Sequence, residues 1–108
     1  MFNIDIPNVT ASDTILVNAP SGKYAFIRVW GYDILAGGAA NISLNCQPGG
    51  GGTVTYLDGP KNVQQGGGLV KDIGSNPWYD LPKGYELHLS QDASATLGGQ
   101  LTYTIEMF

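Results

Sequence analysis

The chain offers one cysteine and one histidine, Cys46 and His88. A cysteine nucleophile needs a nearby base, usually histidine, and a third group to orient that base. Cys46 ends the run NISLNC (41–46), which places Ile42, Leu44 and Cys46 on one side. His88 lies in YELHLSQ (85–91), where Tyr85, Leu87 and Leu89 face one way and Glu86, His88 and Ser90 the other. In a strand, successive side chains point to opposite faces. The thiol therefore belongs to an apolar face and the imidazole to a polar one, and the two are not expected to meet. His88 reads as a solvated sheet residue.

The remaining chemistry is thin. One Cys and one His do not supply the ligands of a zinc site. Asp72 and Asp80 flank a loop without the alternating acids of a calcium loop, and read as solvated turn carboxylates. Glycoside hydrolysis needs two carboxyl groups across a cleft. Asp33, Asp58, Glu86 and Glu106 are available, but a chain of 108 residues builds such a cleft with difficulty. QPGGGG (47–52) lacks the Lys-Ser/Thr and the helix of a phosphate loop. No catalytic residue and no cofactor are expected. NPWYD (76–80) sets Trp78 and Tyr79 in a loop or edge, where exposed rings can hold a sugar. The favoured reading of Trp78 is instead a plug at one end of the core.

The elements that carry these residues are strands. No window shows helical spacing of apolar residues free of Gly or Pro. TILVNA (14–19), KYAFIRVWGYDILA (23–36), NISLNC, TVTYLD (53–58), LVKDI (69–73), YELHLSQ and QLTYTIEMF (100–108) are strand candidates. NPWYDL is a short edge segment, because Pro77 cannot donate to a ladder. NAPSG, GGAA, QPGGGG, DGPKN, QQGGG and LPKG mark the turns. Short strands with turn signals at about ten-residue spacing predict an all-β chain, a single antiparallel β-sandwich spanning residues 13–108. Residues 1–12 read as an N-terminal arm, since NVTAS is polar and has no evident partner.

Only 13% of the residues are charged, about half the usual share. So few surface charges protect poorly against association, and identical copies or a partner are expected to cover part of the surface. The net charge is −4, and Lys23, Arg28, Lys61, Lys71 and Lys83 do not cluster, which argues against nucleic acid. No apolar run approaches the ~20 residues of a membrane helix. MFNIDIPNVT has no basic n-region and is not read as a signal peptide, so synthesis in a cytoplasm is expected. The lone cysteine excludes an intramolecular disulfide. Size scaling gives roughly 5,800 Å² of exposed surface, enough burial for one core.

One strand departs from simple alternation. Ala25, Ile27 and Val29 form one apolar face, and Tyr24, Phe26 and Trp30 with Arg28 form the other. In a two-layer sandwich the second face is wet unless covered. Aromatics and arginine are enriched at interfaces. Tyr24, Phe26, Arg28 and Trp30 are therefore candidates for a subunit contact. The competing expectation is that loops 47–52 and 60–68 fold over them.

The order FIRVWGYDILAGGAANISL, a glycine-rich stretch, then NPWYDLPKGYELHLSQDASATLGGQLTYTIE resembles the small β-sandwich virion proteins of tailed bacteriophages, the capsid cement or decoration proteins. The resemblance covers residues 24–106 and rests on Trp78, Gly84, Leu87, Leu89, Gly99, Leu101 and Tyr103 in order. It implies a jelly-roll-like fold, no catalysis and a homo-oligomer, often a trimer. It implies the major capsid protein as partner and the capsid surface of the virion as location. It carries over no binding residues. Tail, baseplate and fibre components share this pattern, so a tail module binding carbohydrate or a receptor through Trp78 and Tyr79 is the alternative. A bacterial adhesion domain is a third reading.

Overall fold

The computed structural model describes residues 2–107. Among them the chain forms nine strands: β1 Phe2–Val9, β2 Asp13–Val17, β3 Ala25–Ala36, β4 Ala40–Pro48, β5 Thr55–Val63, β6 Gly68–Lys71, β7 Tyr79–Asp80, β8 Tyr85–Gln91 and β9 Leu97–Met107. One antiparallel sheet has the order β1-β9-β3-β6, with β7 following β6 along the same edge of β3. The other has the order β2-β8-β4-β5. The chain passes between sheets at almost every connection, which is the double Greek key of a jelly roll. The fold is the all-β antiparallel sandwich that the strand spacing predicts. It exposes 5647 Å², close to the size expectation.

The core lies between the inner faces. Ile27, Val29, Tyr32 and Ile34 of β3 and Leu97 and Leu101 of β9 meet Ile42, Leu44 and Cys46 of β4 and Leu87 and Leu89 of β8. Burying such an aliphatic side chain is worth about 1.5–3 kcal/mol. The inward parity of β3 changes midway. A register shift between Val29 and Gly31 lets Ile27 and Val29 point inward before it, and Tyr32, Ile34 and Ala36 after it. An extra residue in one strand has this effect. The Tyr32 hydroxyl then reaches across the sandwich to donate to Asp58 Oδ2 at 2.8 Å. Burial, reinforced by that bond, holds this phenol above its ordinary pKa.

Three segments differ from the sequence expectation. Residues Phe2–Val9, within the expected arm, form β1 and pair with β9 from Phe2↔Tyr103 to Val9↔Leu97. Ile4 and Ile6 alternate with polar residues, and Ile6 is buried in the core. DGPKN is not a turn but the middle of β5. Lys61 pairs with Ile42 and Asp58 with Leu44, so Gly59 and Pro60 bulge opposite Ser43. An edge strand tolerates this, because the proline removes no interior ladder bond. The last strand starts before the expected residue 100, and Gly98 and Gly99 lie inside β9. Gly99 has φ +139°, and a Cβ there would overlap the Asp33 carbonyl oxygen, so β9 approaches β3 more closely than any other residue allows.

Candidate functional site

The densest polar cluster surrounds His88. It sits on the outer face of the four-stranded sheet, opposite Leu87 and Leu89, as alternation requires. It is not solvated, however, being only 2% exposed. Its Nδ1 lies 2.9 Å from both Asp13 carboxylate oxygens, and its Nε2 lies 2.8 Å from Glu86 Oε1. The Gln47 amide nitrogen lies 3.0 Å from Nε2 and 3.2 Å from Nδ1. Ser90 donates to Asp13 Oδ1 at 2.9 Å. The Asn45 amide donates to Ser90 Oγ at 3.0 Å and to Ser43 Oγ at 3.1 Å.

Register explains the cluster. Asp13 pairs with Ser90, Asn45 with His88, Ser43 with Ser90 and Gln47 with Glu86, which sets these side chains in adjacent rows. Such neighbours on one face lie within contact distance. The longer flanking chains close over the imidazole, and Ser43 and Asn45 are buried beside it. Alternation identifies the face on which His88 lies. It does not identify what covers that face.

Cys46 lies on the other side of the same sheet, fully buried. Burial pushes its thiol up to about 11, away from the thiolate that a nucleophile needs. Cys46 and His88 thus face opposite ways, as their alternation predicts. Among the described residues, no three His, Cys, Asp or Glu side chains are placed to hold one metal ion. Asp80 is not a free turn carboxylate but the partner of Arg28.

The four residues expected at a subunit contact have different settings. Phe26 is buried, with the Arg28 guanidinium 5.5 Å from its ring centre. Arg28 binds Asp80 through Nε at 2.8 Å and Nη2 at 3.1 Å, with Glu106 at 3.8 Å. The hydrogen bond to Asp80 is the largest cause holding its pKa above the ordinary value. Trp30 donates from Nε1 to Thr104 Oγ1 at 2.9 Å. Arg28 and Trp30 are thus held by β7 and β9, rather than by loops 47–52 and 60–68. Tyr24 is exposed, with the Lys23 and Lys83 ammonium groups 5.5 and 5.3 Å from its ring.

Trp78 packs edge-on against Tyr32 at 5.5 Å and touches Tyr79 at 5.9 Å. Both are half-buried and pack against the core. Trp78 also lines an open cleft of about 340 Å³ with Trp30, Lys71 and Asp72.

Sequence reasoning passed over a further surface. The inner face of β9 carries Leu101, Tyr103, Ile105 and Met107, and Phe2 of β1 stands opposite Tyr103. Leu101 is buried, but Phe2 is 55% and Met107 66% exposed, and Ile105 is exposed as well. These exposed side chains at the end of β9 form an apolar ledge beside the edge strand β1. The alternation of residues 101–107 was legible, but the exposure of its far end was not.

Comparison with protein-family models, with curated proteins and with solved structures returns no match.

Proposed function

We propose that this chain is a non-enzymatic structural protein of a phage virion, a decoration protein that binds the capsid surface as a homo-oligomer, with a trimer the expected form. The observation that carries this reading is the apolar ledge of Phe2, Tyr103, Ile105 and Met107 on a chain with only 13% charged residues. A ledge of this kind loses apolar surface to water until a second copy covers it. The adjoining β1 edge offers unpaired main-chain groups to the same partner. A two-layer sandwich of nine strands supplies the stiffness that a clamp over capsid junctions needs. Several weak contacts made at once by an oligomer add through effective concentration.

The test has two parts. Light scattering after size exclusion is expected to give three times the 11.4 kDa of one chain. Immunogold labelling of intact virions is expected to mark the head. A monomer at high concentration would remove the ledge as a self-contact. Label confined to the tail would replace decoration by a tail module, and a chain missing from purified particles by mass spectrometry would end the virion reading.

A further inference from the structure

The outer face of the β2-β8-β4-β5 sheet has a character that the capsid reading does not use. A wet sheet face ordinarily carries long charged side chains. Here the floor is short and mostly neutral, with Ser43, Asn45 and Ser90 fixed by one another and by Asp13. Two clefts lie along this floor. One, of about 200 Å³, lies over Asp13, Asn45 and Gln47. The other, of about 360 Å³, lies over Asn41 and Asp92. Both are lined by Ser43, Tyr56 and Ser90, so they are neighbouring parts of one trough. Tyr56 stands on its wall with half its surface exposed.

The hydrogen-bond inventory says what fits. Both amide hydrogens of Asn45 are committed to serine oxygens, which turns its carbonyl oxygen into the free acceptor. Ser43 accepts from Asn45 and keeps its own proton to donate. Asp13 is fixed in place by His88 and Ser90 and retains acceptor capacity. Donors and acceptors thus alternate within one small area, the pattern that a hydroxyl group, itself donor and acceptor, satisfies. Asp13, Glu86 and Asp92 repel phosphate and sulfate. An apolar ligand would strip water from the half-exposed Asp13 carboxylate without replacing it, which disfavours such a ligand. The Tyr56 ring offers an apolar face to a ligand that is polar at its rim. Two clefts in line suit a chain of at least two units. The side chains are already in place, so little ordering opposes binding.

We propose that this trough binds a neutral oligosaccharide, with Asn45, Ser43 and Asp13 taking its hydroxyl groups and Tyr56 packing against the C–H face of a sugar ring. His88 is a positioning residue that holds Asp13. The site is independent of where on a particle the chain resides.

The experiment titrates the 15N-labelled chain with cellotetraose, maltotetraose, mannotetraose and N-acetylchitotetraose to millimolar concentration, following amide shifts. At least one probe is expected to give saturable shifts centred on Ser43, Asn45, Tyr56 and Ser90. Tyr56→Ala changes an exposed ring and leaves the fold intact; it is expected to weaken that binding roughly tenfold. Ser43→Ala, with its spectrum first shown to be native-like, is expected to weaken it as well. No saturable shift with any of the four probes overturns the proposal. Saturable shifts centred instead on Trp30 and Trp78 overturn it too, as does binding that tetralysine shows and the saccharides do not.

Discussion

Two side chains on opposite faces of one sheet behave differently because of what surrounds them. The Cys46 thiol is pushed up to about 11 by burial, against an ordinary 9.0. As pH rises the unfolded thiol releases its proton first, so the stability this group contributes is complete below pH 9.0 and is lost between 9.0 and about 11. Denaturation midpoints across that window are expected to fall less steeply in Cys46→Val than in the parent. Tyr32 and Tyr79, whose hydroxyls are shifted in the same direction by burial, contribute to the slope that remains. A disulfide reagent at neutral pH is expected to label Cys46 only after denaturant is added. His88 is held on both sides by carboxylates and above by Gln47. His88→Ala removes a buried ring and with it the partner of Glu86, which is largely covered, and of Asp13, which is half exposed. It is expected to destabilise the chain by about 1–3 kcal/mol, the range for orphaned buried polar groups, read as a lower urea midpoint. An exposed histidine would show no change.

At the scale of elements, the first strand and the strand pair β9–β3 set the firmest expectations. Ile6 is buried at the outer edge of the five-stranded sheet. Ile6→Ala is expected to cost about 2–4 kcal/mol, as for other large-to-small core changes. A free arm would lose nothing, so one urea curve distinguishes the two. Gly99 faces the Asp33 carbonyl with φ +139°, and an added Cβ has nowhere to go. Gly99→Ala is expected to cost roughly 3 kcal/mol or more, through forced separation of β9 from β3. Gly38→Ala is the control. Its Cβ would make only an ordinary 3.8 Å contact with Ala95, and the thermal midpoint is expected to stay within a few degrees.

For the whole molecule, the inner face of the five-stranded sheet is unfinished at one end. Phe2, Ile105 and Met107 share the facing of core residues and yet are exposed. Ile105→Glu places a charge on that ledge. It is expected to yield a folded monomer, with the parent's circular dichroism and the mass of a single chain by light scattering. A mutant that keeps the parent's oligomeric mass would locate the self-contact elsewhere. Tyr24, the exposed one among the expected contact residues, is then the next position to change.

The sequence by itself determined the class of fold and the facing of most side chains. Period-2 alternation and glycine-proline turns leave a chain little choice but short strands, and alternation separated Cys46 from His88. It also placed Arg28 and Trp30 on the outer side of β3. Tertiary structure decided what lies over each face. His88 reads as solvated from its own strand, and only the registers with β2 and β4 bring Asp13 and Gln47 over it. β1 reads as an arm because its partner, β9, lies 88 to 101 residues away in the sequence. The bulges at Val29–Gly31 and Gly59–Pro60 follow from pairing, which no single strand records. The trough across the four-stranded sheet joins residues of all four of its strands, and the ledge is a run of inward-facing residues that the opposite layer leaves exposed. Local spacing fixes the direction of a side chain, whereas its neighbours depend on contacts between segments distant in sequence.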